Sequence, residues 1–227
     1  MSNRFDLVDF HAHILPAADH GSSSLSTTSV QLDMAVKHGV SRIIATPHFY
    51  PTHHTVDSFV ERRDLTYKSI PEATSYDIRL GAEVLICNGI ESLPGLEKLC
   101  VNGTRVLMLE LPFADFQSEY CDSVYNLTRS GYDVIMAHAD RYDPQNIERL
   151  IECGARLQLN ADSLCGLFRQ KRLYDWLDRD LVVALGSDIH GENKKAYKQF
   201  ETACHKIEDY IDTVKGESDR IFNSAIK

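Results

Sequence analysis

Asp133-Val-Ile-Met-Ala-His138, Asp143-Pro144, Ile147, Leu150 and Ile151, Gly154, and Arg156-Leu-Gln-Leu-Asn160 follow one another in a single stretch, and its reading decides the fold. The first run is short and apolar, as a buried strand is. Asp143 suits a helix N-cap, and Pro144 suits the first helical position. Ile147, Leu150 and Ile151 fall at i, i+3 and i+4, on one helical face. Gly154 stops that helix, and Arg156 begins the next strand. A strand, a helix and a second strand in so short a span form a βαβ unit with parallel strands.

The same junction recurs on either side. Gly39 precedes Ile43-Ile44-Ala45, and Gly131 precedes Val134-Ile135-Met136. Further strands are predicted at residues 7–14, 78–85, 106–111 and 181–186, which makes seven in all. Tyr197, Phe200, Cys204, Ile207 and Ile211 lie at helical spacing and predict one amphipathic C-terminal helix. Seven βα units in one domain, residues 1–227, imply a (β/α) barrel, with a doubly wound open sheet as the alternative. No glycine-rich phosphate loop follows any strand, which counts against a nucleotide-binding open sheet.

The chain of 227 residues is 43% hydrophobic and 25% charged, which is enough to bury a core without staples. Its 24 Lys and Arg against 33 Asp and Glu give a net charge of −9, which excludes a broad nucleic-acid binder. Six cysteines at irregular spacing, with no C-x-x-C pair, read as reduced thiols of a cytoplasmic protein. Residues 1–9 hold no apolar run suited to a leader, and the longest buried-looking run, residues 181–185, is too short for membrane insertion. Ten histidines in an acidic chain are the unusual feature, because imidazole and carboxylate together ligate divalent metals.

Polar residues recur where parallel strands should be apolar. Asp9, His11 and His13 alternate along the first strand and so share one face. Thr46-Pro47-His48 ends the second, Gly81-Ala82-Glu83 interrupts the third, and Glu110 sits among leucines in the fourth. His138 and Asp140 end the fifth, and Ser187-Asp188-Ile189-His190 ends the seventh. A buried carboxylate needs a partner or a metal. The carboxyl ends of barrel strands are where active sites assemble, so these groups are expected to converge. Other histidines have ordinary explanations: His38 ends a helix, His205 is a solvated helix residue, and His53 and His54 lie in a loop.

Asp9-Phe-His-Ala-His-Ile-Leu-Pro16 with Gly21, Ile43-Ile-Ala-Thr-Pro-His48, Gly81-Ala-Glu-Val84, Leu109-Glu-Leu-Pro-Phe113, Val134-Ile-Met-Ala-His138 and Gly186-Ser-Asp-Ile-His190 resemble the PHP (polymerase and histidinol phosphatase) superfamily. The branch it resembles most is the bacterial manganese-dependent protein-tyrosine phosphatases of the CpsB/YwqE type, linked to capsule and exopolysaccharide synthesis. Arg141 and Asn160-Ala-Asp-Ser-Leu-Cys-Gly-Leu-Phe168 also resemble that branch. The resemblance implies a distorted (β/α)7 barrel with a metal site at the C-terminal ends of the strands. It implies one ion on His11, His13, Glu83 and Asp188, and a second on the bridging Glu83 with Glu110 and His138. A third would rest on His48 and His190, with His20 standing where relatives carry Asp and Asp19 as the alternative to it.

Two or three divalent ions (Mn, Fe, Zn or Co) would turn a bridging water into a hydroxide that attacks a phosphomonoester. Arg141 is expected to bind the phosphate, the ordinary alternative being a pair with Asp140 or Asp143. Asp188 and His48 are the candidates for a general acid. A thiol mechanism needs C-x5-R, but the residues six positions after the cysteines are Leu93, Val106, Leu127, Leu159, Lys171 and Tyr210. The implied partner is a phosphotyrosine protein, the tail of a bacterial tyrosine autokinase. The alternatives are another PHP phosphoesterase, such as a histidinol-phosphate phosphatase, and a non-catalytic metal-stabilised module. A metal-dependent amidohydrolase is disfavoured because no clear bridging Lys is present.

Overall fold

The computed structural model describes residues 6–72, 75–113 and 116–226. The first five residues of the leader reading lie outside the described residues. The strands are β1 (Asp9–Ala12), β2 (Arg42–Ala45), β3 (His48–Phe49), β4 (Asp77–Leu80), β5 (Glu83–Leu85), β6 (Val106–Glu110), β7 (Asp133–Met136), β8 (Arg156–Asn160) and β9 (Val182–Gly186). The helices are α1 (Leu25–Lys37), α2 (Val56–Lys68), α3 (Glu119–Arg129), α4 (Pro144–Glu152), α5 (Lys171–Asp178), α6 (Ala196–Lys206) and α7 (Ile211–Ser224). Asp143 caps α4 as expected, accepting from the Gln145 amide at 2.8 Å with Pro144 in the first turn. Ser24 and Thr55 cap α1 and α2 in the same way.

All strand pairs are parallel, in the order β3-β5-β6-β7-β8-β9-β1-β2-β4. The two ends of this order belong together. Pro47 separates β2 from β3, and Gly81-Ala82 separates β4 from β5. A proline has no N–H to give the ladder. Backbone bonds bridge the breaks, from Gly81 N to the Ala45 carbonyl (2.9 Å) and from Glu83 N to the Pro47 carbonyl (3.1 Å). Counted as one strand each, the broken pairs return the ladder on itself as a ring of seven. The fold is a distorted, TIM-like (β/α)7 barrel, and the predicted strand at 78–85 proves to be two.

Alternate residues of the strands feed two apolar clusters. Val8, Phe10, Met108, Ile135 and Val183 pack with Ile221 and Phe222 of α7, while Leu107, Leu109, Val134 and Met136 join the larger cluster. The single C-terminal helix expected from periodicity is instead α6 and α7, joined by a 3₁₀ turn at Glu208–Tyr210. Among the described residues, no helix is long and apolar enough to cross a membrane.

Candidate metal centre

The strand ends bring the predicted residues together. His11 and His13 leave β1, His48 opens β3, Glu83 opens β5, Glu110 ends β6, and His138, Asp188 and His190 follow β7 and β9. His138 (φ 33°) and Asp188 (φ 49°) both occupy the left-handed region. For a residue other than glycine, that conformation costs on the order of 1 kcal/mol or more and persists where neighbours over-determine it. Here the neighbours do so: the Ala137 amide donates to the Leu109 carbonyl, and the Asp188 amide donates to the His11 carbonyl, both at 2.8 Å.

Glu83 lies at the middle of the cluster and is almost wholly buried. Its Oε2 is 3.1 Å from His11 Nε2 and 3.2 Å from both His13 Nε2 and His48 Nε2. Its Oε1 is 2.6 Å from His138 Nε2. Asp188 Oδ1 faces His13 Nε2 at 3.3 Å and His11 Nε2 at 3.6 Å. Three sets of ligand atoms fall within 4.8 Å of one another: His11, His13 and Glu83; His13, His48 and His190; and His48, Glu83 and Glu110.

The outer ring nitrogens set the tautomers. Asp19 Oδ2 accepts from His13 Nδ1 (2.7 Å), His48 Nδ1 (2.9 Å) and the His48 amide (3.0 Å). The Asp188 carbonyl accepts from His190 Nδ1 at 3.0 Å. These oxygens only accept, so each Nδ1 carries the hydrogen and each Nε2 turns a lone pair inward. His11 Nε2 and His13 Nε2 then meet at 3.0 Å, acceptor against acceptor in the neutral rings. Among the described residues, buried His138 Nδ1 has no hydrogen-bond partner. A cluster of inward lone pairs and carboxylates calls for cations, and mixed nitrogen and oxygen donors suit Mn, Fe, Zn or Co.

Without metal, protons do that work. Burial alone would lower His11, yet Glu83 and Asp188 hold it above its ordinary value. Burial would lower His13 too, yet Asp188, Asp19 and Glu83 hold it well above. Burial, and then the nearby Glu83 charge, pushes Glu110 up to about 8. Against its burial, His11, His13 and Arg141 hold the Asp188 carboxyl well below the usual carboxylate range. Burial and the neighbouring His13 take His190 down to about 4.

His20 sits on the outer side of this cluster and is exposed. Its ring lies 4.5 Å from that of His48 and 4.8 Å from that of His190. The inward-facing member of the pair is Asp19. His38 caps α1 and pairs with Glu201 at 3.0 Å, as its helix-end position suggested. His53 and His54 lie by the rim, with the His53 ring 5.6 Å from Tyr50.

Arg141 pairs with neither Asp140 nor Asp143. Its Nη2 donates to Asp188 Oδ2 at 2.6 Å, and its side chain is 42% exposed, so part of the guanidinium faces outward. Burial pushes the Cys100 and Cys204 thiols up to about 12 and the Cys153 thiol up to about 11. Thiols held protonated in this way are poor nucleophiles. Inspection of the sequence missed Asp19 as an orienting group and missed Gln158 altogether. The signal for Gln158 was the one that marked Glu110, a polar residue set between leucines in a buried strand.

A parallel barrel whose strand ends carry a convergent imidazole–carboxylate centre defines the class: a metal-binding TIM-like barrel of the hydrolytic kind. The family described as capsular polysaccharide synthesis, CpsB/CapC, matches residues 7–223, and the chain belongs to it. Over 197 residues it is 29% identical to "Tyrosine-protein phosphatase YwqE" of Bacillus subtilis, covering 81% of this chain and 77% of that one. Over 214 residues it is 24% identical to "Tyrosine-protein phosphatase CpsB" of Streptococcus pneumoniae, covering 85% and 87%. A structure described under YwqE and CpsB as "unique metal-dependent tyrosine phosphatases" superposes with a TM-score of 0.77 at 23% identity, covering 97% of this chain and 96% of that one.

Proposed function

We propose that this chain is a single-domain, metal-dependent protein-tyrosine phosphatase acting in the cytoplasm on the phosphotyrosine tail of a bacterial tyrosine autokinase. The observation that carries the reading is one buried carboxylate, Glu83, with four imidazole Nε2 atoms within 3.2 Å of it. That donor set offers more imidazole nitrogens than one carboxylate can pair through protons, and it suits a cluster of divalent ions. His11, His13, Glu83 and Asp188 would hold one ion, and Glu83, Glu110 and His138 a second. His48 and His190, with His20 above them, would hold a third. When bound, the ions supply Lewis-acid charge for a phosphoryl group and an acidified water as nucleophile.

The chain's own residues do the rest. Arg141 presents the free part of its guanidinium to phosphoryl oxygens in a forked geometry. Asp188 holds the other part of that guanidinium, so Arg141 is aimed before substrate arrives. Asp19 keeps the rings of His13 and His48 in one tautomer, so neither reorients during turnover. A tyrosine phenolate leaves readily, so the site works without a strong general acid. The test is a rate comparison between a phosphotyrosine peptide and histidinol phosphate at equal metal loading. Preference for the peptide by tenfold or more in kcat/KM is expected, and preference for histidinol phosphate would overturn the substrate assignment.

A further inference from the structure

Gln158 and Asn160 point from β8 toward the metal centre and are all but fully buried. The His138 backbone N–H can only donate, and it lies 2.7 Å from one polar atom of the Gln158 amide. That atom is therefore the oxygen, Oε1. His11 Nδ1 lies 3.0 Å from the same oxygen, so it must carry the hydrogen. The other end of the amide, Nε2, donates to Asn160 Oδ1 at 3.0 Å. Asn160 Nδ2 is then left to donate to Asp188 Oδ2, also at 3.0 Å. The Asn160 backbone N–H donates to Asp140 Oδ1 at 2.8 Å and anchors the residue.

One backbone N–H thus sets the polarity of the whole chain of bonds. Gly186 makes room for it: a Cβ there would meet Gln158 Nε2 at 2.7 Å and His11 Cβ at 2.5 Å.

We propose that Gln158 and Asn160 are positioning residues of the metal centre, a one-way hydrogen-bond relay that fixes His11 as an Nε2 ligand and Asp188 as an Oδ1 ligand. The proposal rests on the metal reading above. At one end, Gln158 holds the His11 proton on Nδ1 and leaves Nε2 facing Glu83. At the other, Asn160 occupies Asp188 Oδ2 beside Arg141 and leaves Oδ1 facing His11 and His13. Asp188 Oδ2 is thus held by Asn160 as well as by Arg141, so its position does not depend on the arginine alone.

The test uses the full chain with ¹⁵N-labelled histidine, with Zn(II) as the metal probe. Gln158→Met keeps the length and removes both amide groups. Gln158→Glu keeps the acceptor. Two quantities are read: the protonated nitrogen of His11 by NMR at alkaline pH, and the Zn(II) dissociation constant by competition with a chromophoric chelator. Wild type and Gln158→Glu are expected to keep the proton on Nδ1, while Gln158→Glu, which loses the donor to Asn160 Oδ1, is expected to bind Zn(II) about tenfold more weakly, as Asn160→Ala does. Gln158→Met is expected to lose the single tautomer and to bind about 10–100-fold more weakly, the usual range for partners of metal-bound histidines. Asn160→Ala, which needs no change at Gln158, is expected to weaken Zn(II) about tenfold. The Gln158→Met and Asn160→Ala losses are expected to combine to less than their product.

An unchanged Nδ1–H and wild-type affinity in Gln158→Met would overturn the relay, as would loss of the single His11 tautomer in Gln158→Glu. If Gln158→Met fails to fold, wild-type affinity in Asn160→Ala overturns it instead. A wild-type chain that bound no Zn(II) would remove the metal reading, and the tautomer comparison would still decide the relay.

Discussion

Glu83→Gln is the substitution that bears most on the site. It keeps the shape of a side chain that is 1% exposed and removes one negative charge. Glu83 touches four imidazoles at 2.6–3.2 Å, so no other carboxylate in reach replaces it at all four. A unit charge about 4 Å from another is worth about 4 kcal/mol at an effective dielectric of about 20. At 1.4 kcal/mol per decade that is about a thousandfold, and a divalent ion doubles the charge product, so metal is expected to weaken by about a thousandfold or more. An amide NH₂ would also aim hydrogens at Nε2 atoms that should face a metal. The assay is metal content after gel filtration beside hydrolysis of a phosphotyrosine peptide. The expected result is a folded chain with less than half the wild-type metal and activity down by about a thousandfold or more. A Glu83→Gln chain that kept full metal and activity would refute the assignment of Glu83 as the central ligand.

Asp19→Asn leaves one acceptor oxygen where His13, His48 and two backbone amides now share two, and is expected to weaken metal about 10–100-fold while the chain still folds; titration with Zn(II) reads it. Arg141→Lys keeps the charge and loses the fork, so KM for a phosphotyrosine peptide is expected to rise about tenfold with metal content unchanged; steady-state kinetics and metal analysis read it together. The metal-free chain is expected to lose stability as pH rises from about 6.5 to 8, because Glu110, raised to about 8, and His11 and His13, also raised, bind more protons folded than unfolded. Metal should abolish that slope, since it binds the deprotonated groups; melting temperature against pH, with and without chelator, reads it.

The barrel was readable in the repeated strand–helix–glycine junctions, and six of the seven predicted strands carried acids or imidazoles at their ends, which a strand core does not otherwise hold. The site was readable from those strand ends, and His11, His13, Glu83, Asp188 and His138 converge as their strand positions required. The interruption at Gly81-Ala82 was legible, but the continuation of pairing past it and past Pro47 was not. Pro47 and Gly81-Ala82 look like ordinary loop punctuation, and only the bridging bonds show that pairing continues across them. The split of the C-terminal helix was hidden because the 3₁₀ turn at Glu208–Tyr210 preserves the buried stripe, with Ile207 and Ile211 both still inside. Asp19 and His20 are neighbours of equal promise as ligands. Which one faces inward depends on the turn at Gly21, where a Cβ would come within 2.1 Å of His13 Cβ. That turn brings the Asp19 carboxylate onto the Gly21 amide at 2.8 Å and leaves His20 outside.

The proposed phosphatase activity depends on metal held by this cluster. The most direct measurement is hydrolysis of a phosphotyrosine peptide by chelator-stripped protein during titration with Mn(II), with bound metal counted at each point. No activity is expected in the stripped chain, with recovery in step with two or three ions per chain and no loss after alkylation of the cysteines. Full activity in excess chelator, or activity lost to alkylation alone, would contradict that dependence on metal.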